Sequence, residues 1–321
     1  MKNKFALTGT LCALAALIFS SRAVIESARY ALGLCARLIL PSLFPFFVLS
    51  ILLGKLGLPQ RLGRLLARPA EKLFGVSGAG ASALFAGLTG GYPLGAAAVA
   101  DMAAYGVIDE KEAGRLLAFC NNSGPAFLIG AVGVGVFSSP AAGLLLYTSH
   151  LLAALLTGLL LRGRSNDLHK SVNIVTEIPF YVAFPTAVRE AVTATLSVCG
   201  FVVCFTVLVG MLDARGYLSL AAERLAVLTG GQAQSIRALF TGFFELGSGV
   251  GALQGLALTP GHLALAAALV GWGGLSVHCQ TAAVLCDCAA DLRLHLLGRL
   301  LSAALSAALV YVLALALFPF L

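Results

Sequence analysis

Five consecutive residues, Asn121-Asn-Ser-Gly-Pro125, set two amides, a hydroxyl, a glycine and a proline inside a segment apolar enough to lie in a bilayer. In hydrocarbon every unpaired backbone group costs several kcal/mol, so an interrupted helix survives there only where protein or a watery cavity surrounds the break. Polar groups at that depth mark the route of a solute. The competing reading is a Pro/Gly kink whose Asn and Ser bond to neighbouring helices. Amides and hydroxyls both donate and accept, which suits a polar organic solute stripped of water.

Three further polar clusters occupy apolar surroundings: Thr89, Gly90, Gly91, Tyr92 and Pro93; Glu245, Gly247, Ser248 and Gly249; and Ser276, His278 and Gln280 after Gly271-Trp-Gly-Gly-Leu275. Glycines at such points let the backbone turn and approach a ligand closely, and half-helix amino termini present unpaired N–H groups to anionic atoms. Together with Asn121, Asn122, Ser123 and Gly124 these residues are the candidate solute site. Glu245 is the one acid placed deep in the membrane, able to hold a proton or Na⁺ as coupling ion; a hydrogen-bonded structural acid is the alternative. His278 reads equally as a proton carrier or as a packed neutral histidine. No metal or organic cofactor is expected, because Cys286-Asp-Cys288 with His278 and His295 matches no zinc spacing. Hydrolase, phosphate-loop and metalloprotease motifs are missing, so nothing argues for an enzyme.

The elements that must position these residues follow from composition. The 321 residues are 59% hydrophobic and only 11% charged, with a mean hydropathy of +0.95, against about 25% charged in soluble domains. The chain therefore reads as an all-α polytopic membrane protein. Its net charge of +7 belongs to topology, since no basic patch interleaved with aromatics suggests nucleic acid. Eight scattered cysteines form no disulfide framework.

About seven crossings are expected, at Phe5–Ser21, Pro41–Gly54 (beginning nearer Leu34), Leu116–Phe137, Ala141–Leu161, Thr193–Leu212, His262–Ala282 and Gly298–Phe318. Residues 1–21 read as an uncleaved first transmembrane helix in preference to a signal peptide. Two glycine-broken stretches, Ser77–Tyr105 and Ala233–Leu258, read as re-entrant hairpins. Each follows a charged amphipathic stretch, Leu58–Phe74 or Asp213–Leu228, suited to the membrane surface. With the amino terminus in the cytoplasm, fifteen Lys/Arg, Arg299 among them, fall inside and six fall outside, the expected bias.

Residues 22–161 and 178–321, joined by a cytoplasmic linker at 162–177, resemble each other. Phe85–Gly95 lies over Phe240–Val250, and Leu116–Ala131 lies over Leu269–Val284. Three crossings separate the hairpins, so the second unit is inverted, an arrangement of secondary transporters with a midplane site.

At Gly90-Gly-Tyr-Pro-Leu-Gly95, Arg115-Leu-Leu-Ala-Phe-Cys-Asn-Asn-Ser-Gly-Pro125 and Gly271-Trp-Gly-Gly-Leu-Ser-Val-His-Cys-Gln280 the chain resembles the sporulation integral membrane protein family called YlbJ or SpoVV. The resemblance runs from about Ala31 to the end. It extends to the wider Gate, or nucleoside-recognition, group, which is similar to the concentrative nucleoside transporters. It implies a solute site at the hairpin tips and broken helices, and export of the dianion dipicolinate from the mother cell across the outer forespore membrane. The expected partners are thus a small-molecule anion and the lipid bilayer, with homo-oligomerisation left open. The alternatives are a nucleoside-type permease and a non-transporting scaffold or regulator.

Overall fold

A computed structural model describes residues 2–163, 178–286, 288 and 290–317 and, among these, is entirely helical apart from turns and loops. Helix α1 is Lys2–Phe19. Helix α2 is a single 35-residue span, Ser21–Lys55, containing a π-helical stretch at Cys35–Ile39. Pro41 explains that stretch: its missing N–H and its ring would conflict with the carbonyl of Arg37, and a widened turn absorbs the conflict.

The amphipathic α3, Leu58–Phe74, follows, and the chain then bends by 94° into α4, Gly78–Gly90. A Cβ at Gly63 would collide with the Gly78 carbonyl, so the bend needs glycine there. Helix α5, Leu94–Ala104, completes the first hairpin. The first broken helix comprises α6, Glu110–Cys120, and a π-helical α7, Ala126–Val136, and α8 is Pro140–Leu160.

The second half repeats the order. Helix α9, Phe180–Ala214, again has 35 residues and precedes the shorter amphipathic α10, Tyr217–Thr229. The second hairpin is α11, Ala233–Phe244, and α12, Leu246–Gly251. The second broken helix is α13, Pro260–Trp272, with α14, Gly274–Val284, and the last helix is α15, Leu292–Leu317. Helices α2 and α9 run antiparallel, with Lys55 Nζ donating to Glu190 at 2.8 Å near one end and Gly210 packed on Ser27 near the other.

Five helices are long and apolar enough to cross a membrane: α2, α8, α9, α13 with α14, and α15; the bent pair Gln60–Phe74 and Gly78–Gly90 makes a sixth if counted as one span. The expected seven also included α1, which among the described residues is apolar over Leu7–Phe19, and the interrupted α6–α7. Three expected spans prove longer. Pro41–Gly54 and Thr193–Leu212 each lie within a 35-residue helix, and the last begins at Leu292 instead of Gly298. Most of the expected 162–177 linker lies outside the described residues.

Candidate functional site

The first break is built by side chains. Pro125 cannot donate and disfavours helical geometry at Gly124, so α6 stops at Cys120. Asn122 Nδ2 then caps the freed Phe119 carbonyl at 2.5 Å, and the Ser123 N–H finds His150 Nε2 at 3.1 Å. Asn121 Nδ2 reaches Thr281 Oγ1 on α14 at 2.8 Å, tying one broken helix to the other. The tip of the first hairpin rests on this break: Gly91, at φ +81°, packs so closely that a Cβ would come within 2.6 Å of Gly124 N.

The second break is built by backbone. Gly273 and Gly274 adopt φ of +89° and +76°, left-handed values that interrupt the helix between α13 and α14. A Cβ at Gly274 would lie 3.0 Å from Leu246 N and 3.2 Å from the Phe244 carbonyl, which is how near this break comes to the second hairpin tip. Trp272 Nε1 donates to the Phe243 carbonyl at 3.0 Å, and its indole stacks on Phe243.

Glu245 sits at that tip, 1% exposed. Its carboxylate caps α12, accepting from Gly247 N at 2.9 Å and Ser248 N at 2.5 Å, so two of the unpaired donors at a helix start are satisfied by one acid.

Both hairpin tips and both broken helices meet around a cavity of about 40 Å³. The first half contributes Gly90, Gly91, Tyr92, Ser123 and Gly124, and the second contributes Glu245, Gly247, Ser276 and Gln280. The remaining wall is apolar: Ile39 and Leu43 of α2, Phe127 of α7, and Val198 and Val202 of α9. Ser276 Oγ and Gln280 Oε1 are buried without a hydrogen-bond partner, and the buried hydroxyls of Tyr92 and Ser123 lie side by side without a bond of normal geometry. Buried polar groups are ordinarily paired, so their convergence on one cavity points to a polar guest. Water needs about 10–15 Å³, so the cavity in this conformation takes a few waters, and a larger solute requires its walls to part.

The other expected residues lie elsewhere. Thr89 Oγ1 bonds within its own helix to the Phe85 carbonyl at 2.9 Å, and Pro93 starts α5. Asn121 and Asn122 hold the break together instead of facing the cavity. Ser248 Oγ pairs with Thr206 Oγ1 at 3.0 Å and faces a second, wider cavity of about 650 Å³. That cavity has Glu26, Asp213, Glu223 and Arg237 on its walls and ends one residue from Gly247. His278 lies against Trp272 with the two rings tilted by 58° and meets His295 Nε2 at 3.1 Å, away from the cavity.

Arg299, counted with the cytoplasmic charges at the start of the expected Gly298–Phe318 span, lies two turns inside α15 and is 2% exposed. Counting charges along the chain sees its sign and not its partners, which are backbone carbonyls and the Asn122 side-chain amide oxygen. Its signal was its setting in Leu296-Leu-Gly-Arg-Leu-Leu301, where Gly298 brings α15 against the Ala118 backbone. His150, fully buried on α8 below the first break, was missed for the same reason.

No protein-family model matches the chain. It is similar to the sporulation integral membrane protein YlbJ of Bacillus subtilis (strain 168), with 29% identity over 325 residues, covering 93% of this chain and 79% of YlbJ. Among solved structures it resembles a CNTnw variant in an intermediate 3 state, with a TM-score of 0.55, 15% identity and coverage of 98% and 85%. A CNTnw variant in an outward-facing state gives a TM-score of 0.54, 16% identity and coverage of 97% and 84%. The chain is a multi-pass integral membrane protein that shares the fold of these CNTnw structures.

Proposed function

We propose that the chain is a secondary transporter carrying a small polar organic solute through the cavity where the hairpins and broken helices meet. The observation that carries this reading is the convergence of Glu245, Ser276, Gln280, Ser123 and Tyr92 on that cavity. Two inverted repeats, each a long helix, an amphipathic helix, a hairpin and a broken helix, rearrange around it in alternating access. The apolar wall from α2 and α9 gives a flat solute ring a surface to lie on.

Dipicolinate, exported across the outer forespore membrane, is the first candidate, supported by the similarity to YlbJ. Among the described residues Glu245 lines the cavity and no Lys or Arg does, so a dianion crosses with protons or Na⁺ that offset the added charge. The same lining favours a second reading, a neutral nucleoside-like solute bound by Glu245 and Gln280. In both readings the amino terminus is cytoplasmic.

Flux into proteoliposomes of labelled dipicolinate and of uridine, each with and without a proton or Na⁺ gradient, tests the reading. Gradient-dependent movement of one solute is expected. Movement of neither, from correctly inserted protein, sinks transport of both and leaves the scaffold reading.

A further inference from the structure

Arg299 lies outside the cavity, yet it touches both breaks. Nη1 donates to the Asn121 carbonyl at 2.7 Å and to Asn122 Oδ1 at 3.1 Å. Nη2 donates to the Gly271 carbonyl, with the Val270 carbonyl at 3.5 Å. These acceptors sit where α6 and α13 end, at carbonyls that lack intrahelical partners and carry the negative end of the helix dipole. Among the described residues no carboxylate forms an ion pair with this guanidinium. A cation taken from water is costly to bury, and here the two helix ends take the place of a counter-ion.

The neighbouring contacts share one register. One turn earlier on α15, His295 Nδ1 meets the Leu117 carbonyl at 3.0 Å, so His295 with Leu117 and Arg299 with Asn121 keep the same offset along two helices lying side by side. Between them Gly298 packs on Ala118, where any side chain would collide with backbone. Helix α15 is therefore fixed along α6, and the planar fork of Arg299 extends that attachment to α13. A lysine ammonium is a point donor and cannot span both sets of carbonyls in this way.

We infer that Arg299 couples the two breaks, so that neither half-helix end can change shape without disturbing the other. It is a positioning residue. That the coupled change accompanies solute passage rests on the transport reading; the coupling itself does not.

Hydrogen–deuterium exchange on the full-length chain in lipid nanodiscs tests the coupling without any solute. Asn122→Ala removes one Arg299 acceptor at the first break. It is expected to raise amide exchange at residues 271–276 of the second break by roughly tenfold, the loss expected from a charge-assisted bond. In an Arg299→Gln background the same substitution adds nothing at 271–276, because the link is already cut. Exchange that rises only at residues 119–124, or effects that simply add, would overturn the proposal. If Arg299→Gln does not fold, Arg299→Lys serves in its place: one break stays protected and the other loosens, whereas protection of both would overturn the coupling. Coupled exchange without flux of any solute would leave this inference standing and remove the transport reading.

Discussion

The two halves reach the same cavity by different means. In the first, the break at Asn121–Gly124 is held by side chains: Asn122 on Phe119, His150 on Ser123, Asn121 on Thr281. In the second, the left-handed backbone of Gly273 and Gly274 makes the break, and the carboxyl group is supplied by the hairpin tip through Glu245. The first hairpin tip, with Gly91 against Gly124, contributes shape and no charge. The lesson is a division of labour: one half moulds the pocket and offers hydroxyls, the other carries the one carboxyl group among the described residues lining it.

The contrast can be broken most forcibly at the backbone. Gly274→Val puts a branched side chain at φ +76° and within 3.0–3.2 Å of hairpin backbone, so about 2–5 kcal/mol of strain and overpacking is expected. Thermal melting and yield of folded protein in detergent check this; a variant that melts like the parent would refute the backbone account. Next, Glu245→Ala strands the buried N–H groups of Gly247 and Ser248, at about 1–3 kcal/mol each. Glu245→Gln keeps an acceptor and melts closer to the parent. If both variants melt alike, the cap is not what holds α12.

On the other half, His150→Ala removes the acceptor of the Ser123 N–H, with about 1–3 kcal/mol lost. The loss should be larger than for His150→Gln, whose amide oxygen can still accept; equal melting points would deny that the bond shapes the first break. The smallest stability change belongs to Ser276→Ala. Its hydroxyl has no protein partner, so stability should hold within about 0.5 kcal/mol while solute flux or binding falls. An unaltered flux would show that this hydroxyl does not meet the solute.

How much of this was legible depends on what each residue type can announce locally. The first hairpin could be read to within a residue at its outer ends, Ser77–Tyr105 against Gly78–Ala104, because glycine and proline punctuate apolar runs regardless of their surroundings, whereas the second, expected at Ala233–Leu258, has helices that end at Gly251. The break at Asn121 was visible for the same reason. The lengths of α2 and α9 were not. Arg22, Glu26 and Arg29 lower the hydropathy of a helix that continues through them, and an exposed Arg22–Glu26 pair four residues apart supports it there. Nor does sequence say which way an unwound amide turns. Asn121 and Asn122 were expected to face a solute and instead hold neighbouring chain segments, an outcome set by backbone angles outside any regular period. Arg299 was hidden because its partners are carbonyls that exist only once two helices have been broken.

The equal lengths of α2 and α9 carry a mechanical consequence. At 1.5 Å per residue each rod measures about 52 Å, against a hydrocarbon slab of about 30 Å, so both must lean steeply or project well beyond it. Ile39, Leu43, Val198 and Val202 ride on these rods, so a thicker bilayer that stands them more upright also shifts one side of the chamber. Under the proposed transport function, acyl-chain length then becomes a dial on the rate of passage. Passage that is the same in short- and long-chain liposomes would mean that the rods are anchored against tilt.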